Sequence, residues 1–187
     1  MGKNEFERIL AYAELLGITV SAGSFSERIK LQKLGYLLGA IVKKTYGDFH
    51  FYVRGPYSRS LASDYYSMSL VVKKPGTSEI SSDEKKELLR LAPLLSKLST
   101  RELEIIASLL WLKNNEKLDE NAAEIRLKEI KSYLDIKDIW RGSQILKAIL
   151  LKPEEFKRIM ESMKDELEMW DKASAKDLEE FTKRKAV

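Results

Sequence analysis

Two short stretches hold the side chains best suited to chemistry: Arg28-Ile-Lys-Leu-Gln-Lys-Leu34 and, about twenty residues later, Gly55-Pro-Tyr-Ser-Arg-Ser-Leu-Ala62. Lys30 and Lys33 are three apart, so on a helix they share a face and would hold an anion beside the amide of Gln32. In Gly55-Pro56-Tyr57-Ser58 the glycine admits a backbone closed to other residues, and the proline lowers the entropy of a turn. Tyr57 would then stand at a helix start, where free N–H groups and the positive end of the dipole favour anions. With Arg54 before the turn and Arg59 and Asp64 after it, the chemistry on offer is recognition through charge pairing, hydrogen bonds and ring contacts.

A reaction has far less to draw on. Cysteine is absent, which removes disulfides, thiolate zinc sites and a cysteine nucleophile together. His50 is the single histidine, and no Gly-x-Ser-x-Gly elbow accompanies it. Tyr57, Ser58, Asp64 and His50 could converge near the turn, but polar residues around a Gly-Pro turn are ordinary. The expectation is a protein without catalytic residues, cofactor or metal, and not an enzyme.

The elements that must position these residues read as mainly helical. Phe6, Ile9, Leu10, Ala13, Leu16 and Val20 recur at helical spacing, with Gly17 as a stop. Ser24-x-x-Glu27 is a capping box that opens a second helix, expected to run to about Tyr46 with its stripe on Leu31, Leu34, Leu38 and Ile41. Gly35 and Gly39 sit inside it, where a close neighbour would explain them. Phe49, Phe51 and Val53 alternate with His50, Tyr52 and Arg54, predicting a short half-buried strand before the Gly55-Pro56 turn. Ser58 then caps a helix to about Ser69, and the stretch from Leu70 to Ile80 reads as a small hairpin or wing. Ser81-x-x-Glu84 and Ser99-x-x-Glu102 predict helices over 83–97 and 100–114, the first containing Pro93. Further helices are expected from Ala122 to about Leu134, opened by Asn121, from Asp138 to Leu151, and from Pro153 past Trp170. The organisation expected is one mainly α domain over 1–171, an α+β arrangement with a minor β component, winged-helix-like if the hairpin forms. A helix extension or frayed tail of mixed charge would follow over 172–187.

Composition limits the setting. The 187 residues are 44% hydrophobic and 33% charged, as in globular chains. No uncharged apolar run nears the roughly 18 to 20 residues that span a bilayer, and the N-terminus lacks a signal peptide's apolar centre. The expectation is a cytoplasmic protein with no membrane partner. Two glutamines, no cysteine and abundant Lys, Glu and Ile resemble thermophile composition. The net charge is +4, but residues 1–75 hold 11 Lys and Arg against 6 Asp and Glu, so the positive excess sits with the two motifs.

Lys30-Leu-Gln-Lys-Leu-Gly-Tyr-Leu-Leu38, an aromatic strand, and Gly55-Pro-Tyr-Ser-x-x-Leu-Ala-x-Asp64 together resemble the YwgA-like family of bacteria and archaea. More distantly they are similar to the Panacea, or SocA-like, antitoxin-associated domain. The likeness covers residues 24–70. It implies a mainly helical fold and, in the Panacea branch, proteins that bind and neutralise toxins or act as adaptors. Gly35 and Arg54 depart from it: such helices more often hold a bulky residue at the first position, and the YwgA-like pattern has an aromatic residue or His at the second.

The function expected is a non-enzymatic protein-interaction module, antitoxin-like or adaptor-like, with a protein partner such as a toxin. Its partner-binding residues would be Lys30, Gln32, Lys33, Arg54, Gly55, Pro56, Tyr57, Ser58, Arg59 and Asp64, with Lys30, Lys33, Arg54, Tyr57 and Arg59 as the exposed set. The alternative is a nucleic-acid-binding regulator, winged-helix or helix-turn-helix, that offers Arg141, Ser143, Gln144 and Lys147 to phosphates or base edges. A homodimer through Met163, Leu167, Trp170 and Phe181 of the last helix is a separate expectation.

Overall fold

The computed structural model describes residues 3–68, 80–159 and 161, and the chain divides into two units at the link between Leu150 and Leu151. The first unit is mainly helical with a small two-stranded antiparallel sheet, as the hydrophobic spacing predicts. In chain order it holds α1 (Lys3–Leu15), α2 (Phe25–Ile41), β1 (Phe49–Tyr52), β2 (Gly55–Ser58), α3 (Arg59–Met68), α4 (Ser82–Leu95), α5 (Thr100–Asn115), α6 (Glu120–Ile130) and α7 (Ile136–Leu150). Among the described residues no helix is long and apolar enough to cross a membrane. In the second unit the chain is helical over 153–159, starting at Pro153 as expected. The continuation past Trp170, the stripe of Met163, Leu167, Trp170 and Phe181, the 172–187 tail and all of the 70–80 hairpin except Ile80 lie outside the described residues.

Local chemistry starts the helices. At α2, α4 and α5 the serine Oγ accepts the N3 backbone N–H while the N3 glutamate accepts the cap's own N–H, in the pairs Ser24/Glu27, Ser81/Glu84 and Ser99/Glu102. Each such cap is worth about 1 kcal/mol. α4 runs on through Pro93 to Leu95. α6 begins two residues earlier than Asn121 predicts, because the Asp119 carboxylate accepts the Ala122 N–H at 2.8 Å. It also ends earlier, at Ile130, and residues 131–134 turn the chain.

α2 and α5 form the centre of the first unit. α2 packs on α1, α3, α5 and β2, and α5 on α2, α6, α7 and β2. Burial on so many sides leaves α2 without a polar face along Leu31–Gly35, where even Gln32 and Lys33 are only 1% exposed. Gly35 is where α1 and α3 close in: a Cβ there would stand 3.1 Å from both Ile9 Cδ1 and Leu61 Cδ2. At Gly39 a loop approaches instead of a helix, with the Lys44 carbonyl 2.8 Å from a Cβ position. That loop shortens α2 to Ile41, five residues before the expected end. Lys43 takes a left-handed backbone (φ 55°), and Tyr46 folds back to share a 2.8 Å hydroxyl hydrogen bond with Tyr12.

Candidate functional site

The two motifs meet directly. β1 and β2 pair with Phe49 opposite Ser58, His50 opposite Tyr57, Phe51 opposite Pro56 and Tyr52 opposite Gly55, so the turn falls on Val53-Arg54. The expectation of a strand through Arg54 and a turn at Gly55-Pro56 is corrected by this register: Gly-Pro-Tyr-Ser is itself the second strand. Gly55 leaves the turn at φ +86°, a backbone that favours glycine. Pro56 is tolerated because it occupies an edge position where no N–H is needed.

Alternate residues of an antiparallel strand turn their N–H and C=O away from the partner strand. In β2 these are Pro56 and Ser58, and α2 satisfies them all. Lys33 Nζ donates to the Pro56 carbonyl at 2.6 Å. The Ser58 N–H donates to Gln32 Oε1 at 2.8 Å, and Gln32 Nε2 donates to the Ser58 carbonyl at 3.0 Å. The Gln32 amide thus does for Ser58 what the peptide of a third strand would do, and closes that edge. Ser58 Oγ meanwhile accepts the Leu61 N–H at 3.2 Å and caps α3, as the sequence predicts.

Behind the clamp lies an ionic cluster that sequence reading did not find. Glu104 of α5 accepts Lys131 Nζ at 2.7 Å and Tyr133 OH at 2.6 Å on one oxygen, and its other oxygen stands 3.6 Å from Arg54 Nη1. Glu104 and Lys131 are buried. Burial alone would push the Glu104 carboxyl up, but the hydrogen bonds from Lys131 and Tyr133 and the charges of Lys131 and Arg54 hold it below the usual carboxylate range. For Lys33 the compensation falls short. Burial, then the charge of Lys131, brings its amine down to about 7, with Glu104 opposing and Arg54 adding to the effect. The one signal in the sequence was a glutamate inside the apolar run Leu103–Leu110.

Ser108 of α5 sets how closely β2 can approach. A Cβ at Gly55 would overlap Ser108 Oγ, which donates to the Glu104 carbonyl at 2.7 Å. Gly55→Ala is expected to cost about 2 to 4 kcal/mol, part from the left-handed backbone and part from the overlap. Urea unfolding should show Ser108→Ala recovering the steric part and leaving roughly 1 to 2 kcal/mol from the backbone. Equal losses in the two backgrounds would mean the overlap carries no cost.

Beside this scaffold opens a groove of about 350 Å³. Its walls are Phe25, Arg28 and Ile29 of α2, Tyr52 through Gly55 and Tyr57 of the hairpin, and Tyr65 and Tyr66 of α3, with Gln32 and Lys33 beneath. Among the described residues no carboxylate lines it. Tyr52 meets Tyr57 edge to face at 5.4 Å between centroids, and Tyr65 tilts on Tyr66 at 4.9 Å. Arg28 lies 5.7 Å over the Tyr66 ring and Arg54 5.4 Å over the Tyr133 ring. Phe25 at 63% and Val53 at 78% exposure leave a wide apolar rim.

Of the expected partner-binding residues, Gln32, Lys33, Arg54, Gly55 and Tyr57 line this groove, and Pro56 and Ser58 are buried in the clamp. Lys33 does not belong to an exposed set, and the shared cationic face of Lys30 and Lys33 is corrected: Lys33 turns inward to Pro56, while Lys30 Nζ donates to the Thr19 carbonyl at 2.9 Å. Lys30, Arg59 and Asp64 are not among the lining residues. Asp64 lies on α3 with a buried Oδ2 that has no hydrogen-bond partner among the described residues, and burial pushes its carboxyl up.

The set expected for nucleic acid lies on α7, but not all of it faces outward. Ser143 is buried, with its Oγ donating to Glu120 at 3.0 Å, because α7 packs close to α5 at Gly142, where a Cβ would overlap Ile105. Arg141 pairs with Glu102 at 3.1 Å, Lys147 pairs with Glu120 at 2.6 Å, and Gln144 is half-buried. The open face of α7 is instead Ile136, Lys137, Trp140 and Arg141.

Comparison with family models, curated proteins and solved structures gives no match for this chain.

Proposed function

We propose that the protein is a non-enzymatic protein-interaction module, antitoxin-like or adaptor-like, that takes a segment of a partner protein in the groove between α2, the hairpin and α3. The observation that carries this reading is a concave aromatic surface with two arginines and, among the described residues, no carboxylate, standing on a backbone fixed by the Gln32 and Lys33 hydrogen bonds. Interface centres are enriched in tyrosine and arginine and poor in carboxylates, and a wall held rigid loses little entropy when a partner docks. The arrangement of Lys-Leu-Gln-Lys-Leu against Gly-Pro-Tyr-Ser also gives the resemblance to antitoxin-associated domains a physical content, because the two stretches jointly build one surface. Burial of Ser143 counts against the helix-turn-helix form of the nucleic-acid reading, and the hairpin of its winged-helix form lies outside the described residues apart from Ile80.

The test is affinity capture from the native host with the wild-type chain and with Val53→Asp, a change at an exposed turn position. Wild type is expected to retain a protein at near-equal stoichiometry that the variant loses. Recovery of no stoichiometric protein, or equal recovery by both, would count against the proposal.

A further inference from the structure

Resting on that reading, we infer that the segment bound in the groove is acidic: an extended peptide with one aromatic or large aliphatic side chain seated among the tyrosines and carboxylates on either side of it that meet Arg28 and Arg54. The charge balance of the groove carries the argument. Among the described residues of its lining, every group that carries or can take a full charge near neutral pH is a cation, namely Arg28, Arg54 and Lys33. Among the described residues Arg54 is paired only with Glu104, and both the 3.6 Å separation and the engagement of Glu104 by Lys131 and Tyr133 leave the Arg54 guanidinium with donors to spare. Arg28 Nη1 donates to the Ala22 carbonyl at 3.0 Å, which fixes the side chain and uses one donor of five. Both guanidinium planes are further set by the Tyr66 and Tyr133 rings. Cations held this way, at the edge of an apolar site, favour carboxylates through charge-assisted hydrogen bonds.

The size and placement of the site argue for peptide over a nucleic-acid strand. A strand needs a cationic track that follows successive phosphates, whereas Lys30, the next cation along α2, is turned to the Thr19 carbonyl and Lys33 to that of Pro56. What remains among the described residues is an aromatic groove with two arginines in its lining, one from α2 and one from the hairpin turn, which fits an anchoring side chain flanked by acidic residues.

The experiment is selection of a random twelve-residue peptide library on the full chain, followed by binding of labelled synthetic winners, with labelled oligothymidine as a second probe. Winners are expected to place Asp or Glu on both sides of an aromatic or large aliphatic residue. Their affinity should fall about tenfold with Arg28→Glu and about tenfold with Arg54→Gln, and should weaken as salt rises. Circular dichroism melts of each variant identify any that fail to fold, and Arg28→Gln then replaces the failed reversal. Winners that are neutral or basic but lost on Val53→Asp would sink the acidic inference and leave the groove as a peptide site. Absence of winners, or winners indifferent to Val53→Asp, would sink the protein-binding reading itself. Oligothymidine binding that is abolished by the same arginine changes, with no acidic winners, would overturn both in favour of nucleic acid.

Discussion

Lys33→Met is expected to abolish a rise in stability that the wild-type protein shows between pH 7 and 10.5. Lys33 is 1% exposed and donates to a carbonyl, while Lys131 and Arg54 stand nearby and Glu104 is shared among Lys131, Tyr133 and Arg54. Burial first, and then the Lys131 charge, lowers its amine from 10.5 to about 7. Because the folded-state value lies below the unfolded one, within that window the unfolded chain holds the extra proton, and raising the pH favours the folded state. Below the window both states are protonated and the charge is buried at full cost. Above it neither is. The gain across the window is on the order of 2 to 5 kcal/mol, and it should be missing from the methionine variant. At pH 6 the variant is expected to match or exceed wild type, even though the Pro56 carbonyl loses a donor worth about 1 kcal/mol. Urea unfolding of both proteins across the pH series decides it, since other titrating groups are common to both and cancel in the difference. Parallel curves would mean that Lys33 stays protonated in the fold.

This titration also bears on the groove. Lys33 is part of its wall, so the wall is less positive above pH 7 than a count of basic residues implies. Arg28 and Arg54 are left as the permanent charges, and an acidic segment bound there should depend on them first.

What could be read from the sequence was whatever chemistry closes within a few residues. Ser24/Glu27, Ser81/Glu84 and Ser99/Glu102 are all capping boxes in the fold, because donor and acceptor are three residues apart and need no tertiary partner. The leucine stripe of α2 was legible for the same reason. Its polar residues were not. Helical spacing places Lys33 beside Lys30, but α2 is covered on several sides, and the partner of Lys33 is a carbonyl 23 residues away in a strand that Pro56 seemed to forbid. The hairpin was displaced for a related reason: proline reads as a turn until the register shows that its missing N–H would have faced away from β1. Glu104, Lys131 and Tyr133 were out of reach, since a glutamate inside an apolar run points to burial but does not name partners 27 and 29 residues later. Asp119 in place of Asn121 as the α6 cap was a choice between two residues of nearly equal capping strength.

Glu104→Ala is expected to give a large loss of stability at neutral pH, about 3 to 5 kcal/mol, because it strands the buried Lys131 ammonium. Lys131 is 0% exposed, its nearest other charges are cations, and its distance of 5.9 Å from the Phe51 ring offers little in exchange. Lys131→Met should cost less, since Glu104 keeps the Tyr133 hydroxyl and the Arg54 charge. The two losses are not expected to add. Glu104→Leu with Lys131→Met removes both ions and fills the space with apolar groups, which in buried pairs is often close to neutral. A double-mutant cycle built from Glu104→Leu, Lys131→Met and the pair should therefore return a coupling of roughly 2 to 3 kcal/mol, where independent sites would give less than about 0.5. Acid adds a second reading. The folded Glu104 carboxyl is held below its unfolded value, so its contribution is present above pH 4.5 and is lost as the pH falls through the folded value. The double variant should lose less stability than wild type over that fall. If the double variant is as unstable as Glu104→Ala, or as acid-sensitive as wild type, the Glu104–Lys131 pair does not act as a coupled ion pair that ties α5 to the turn after α6.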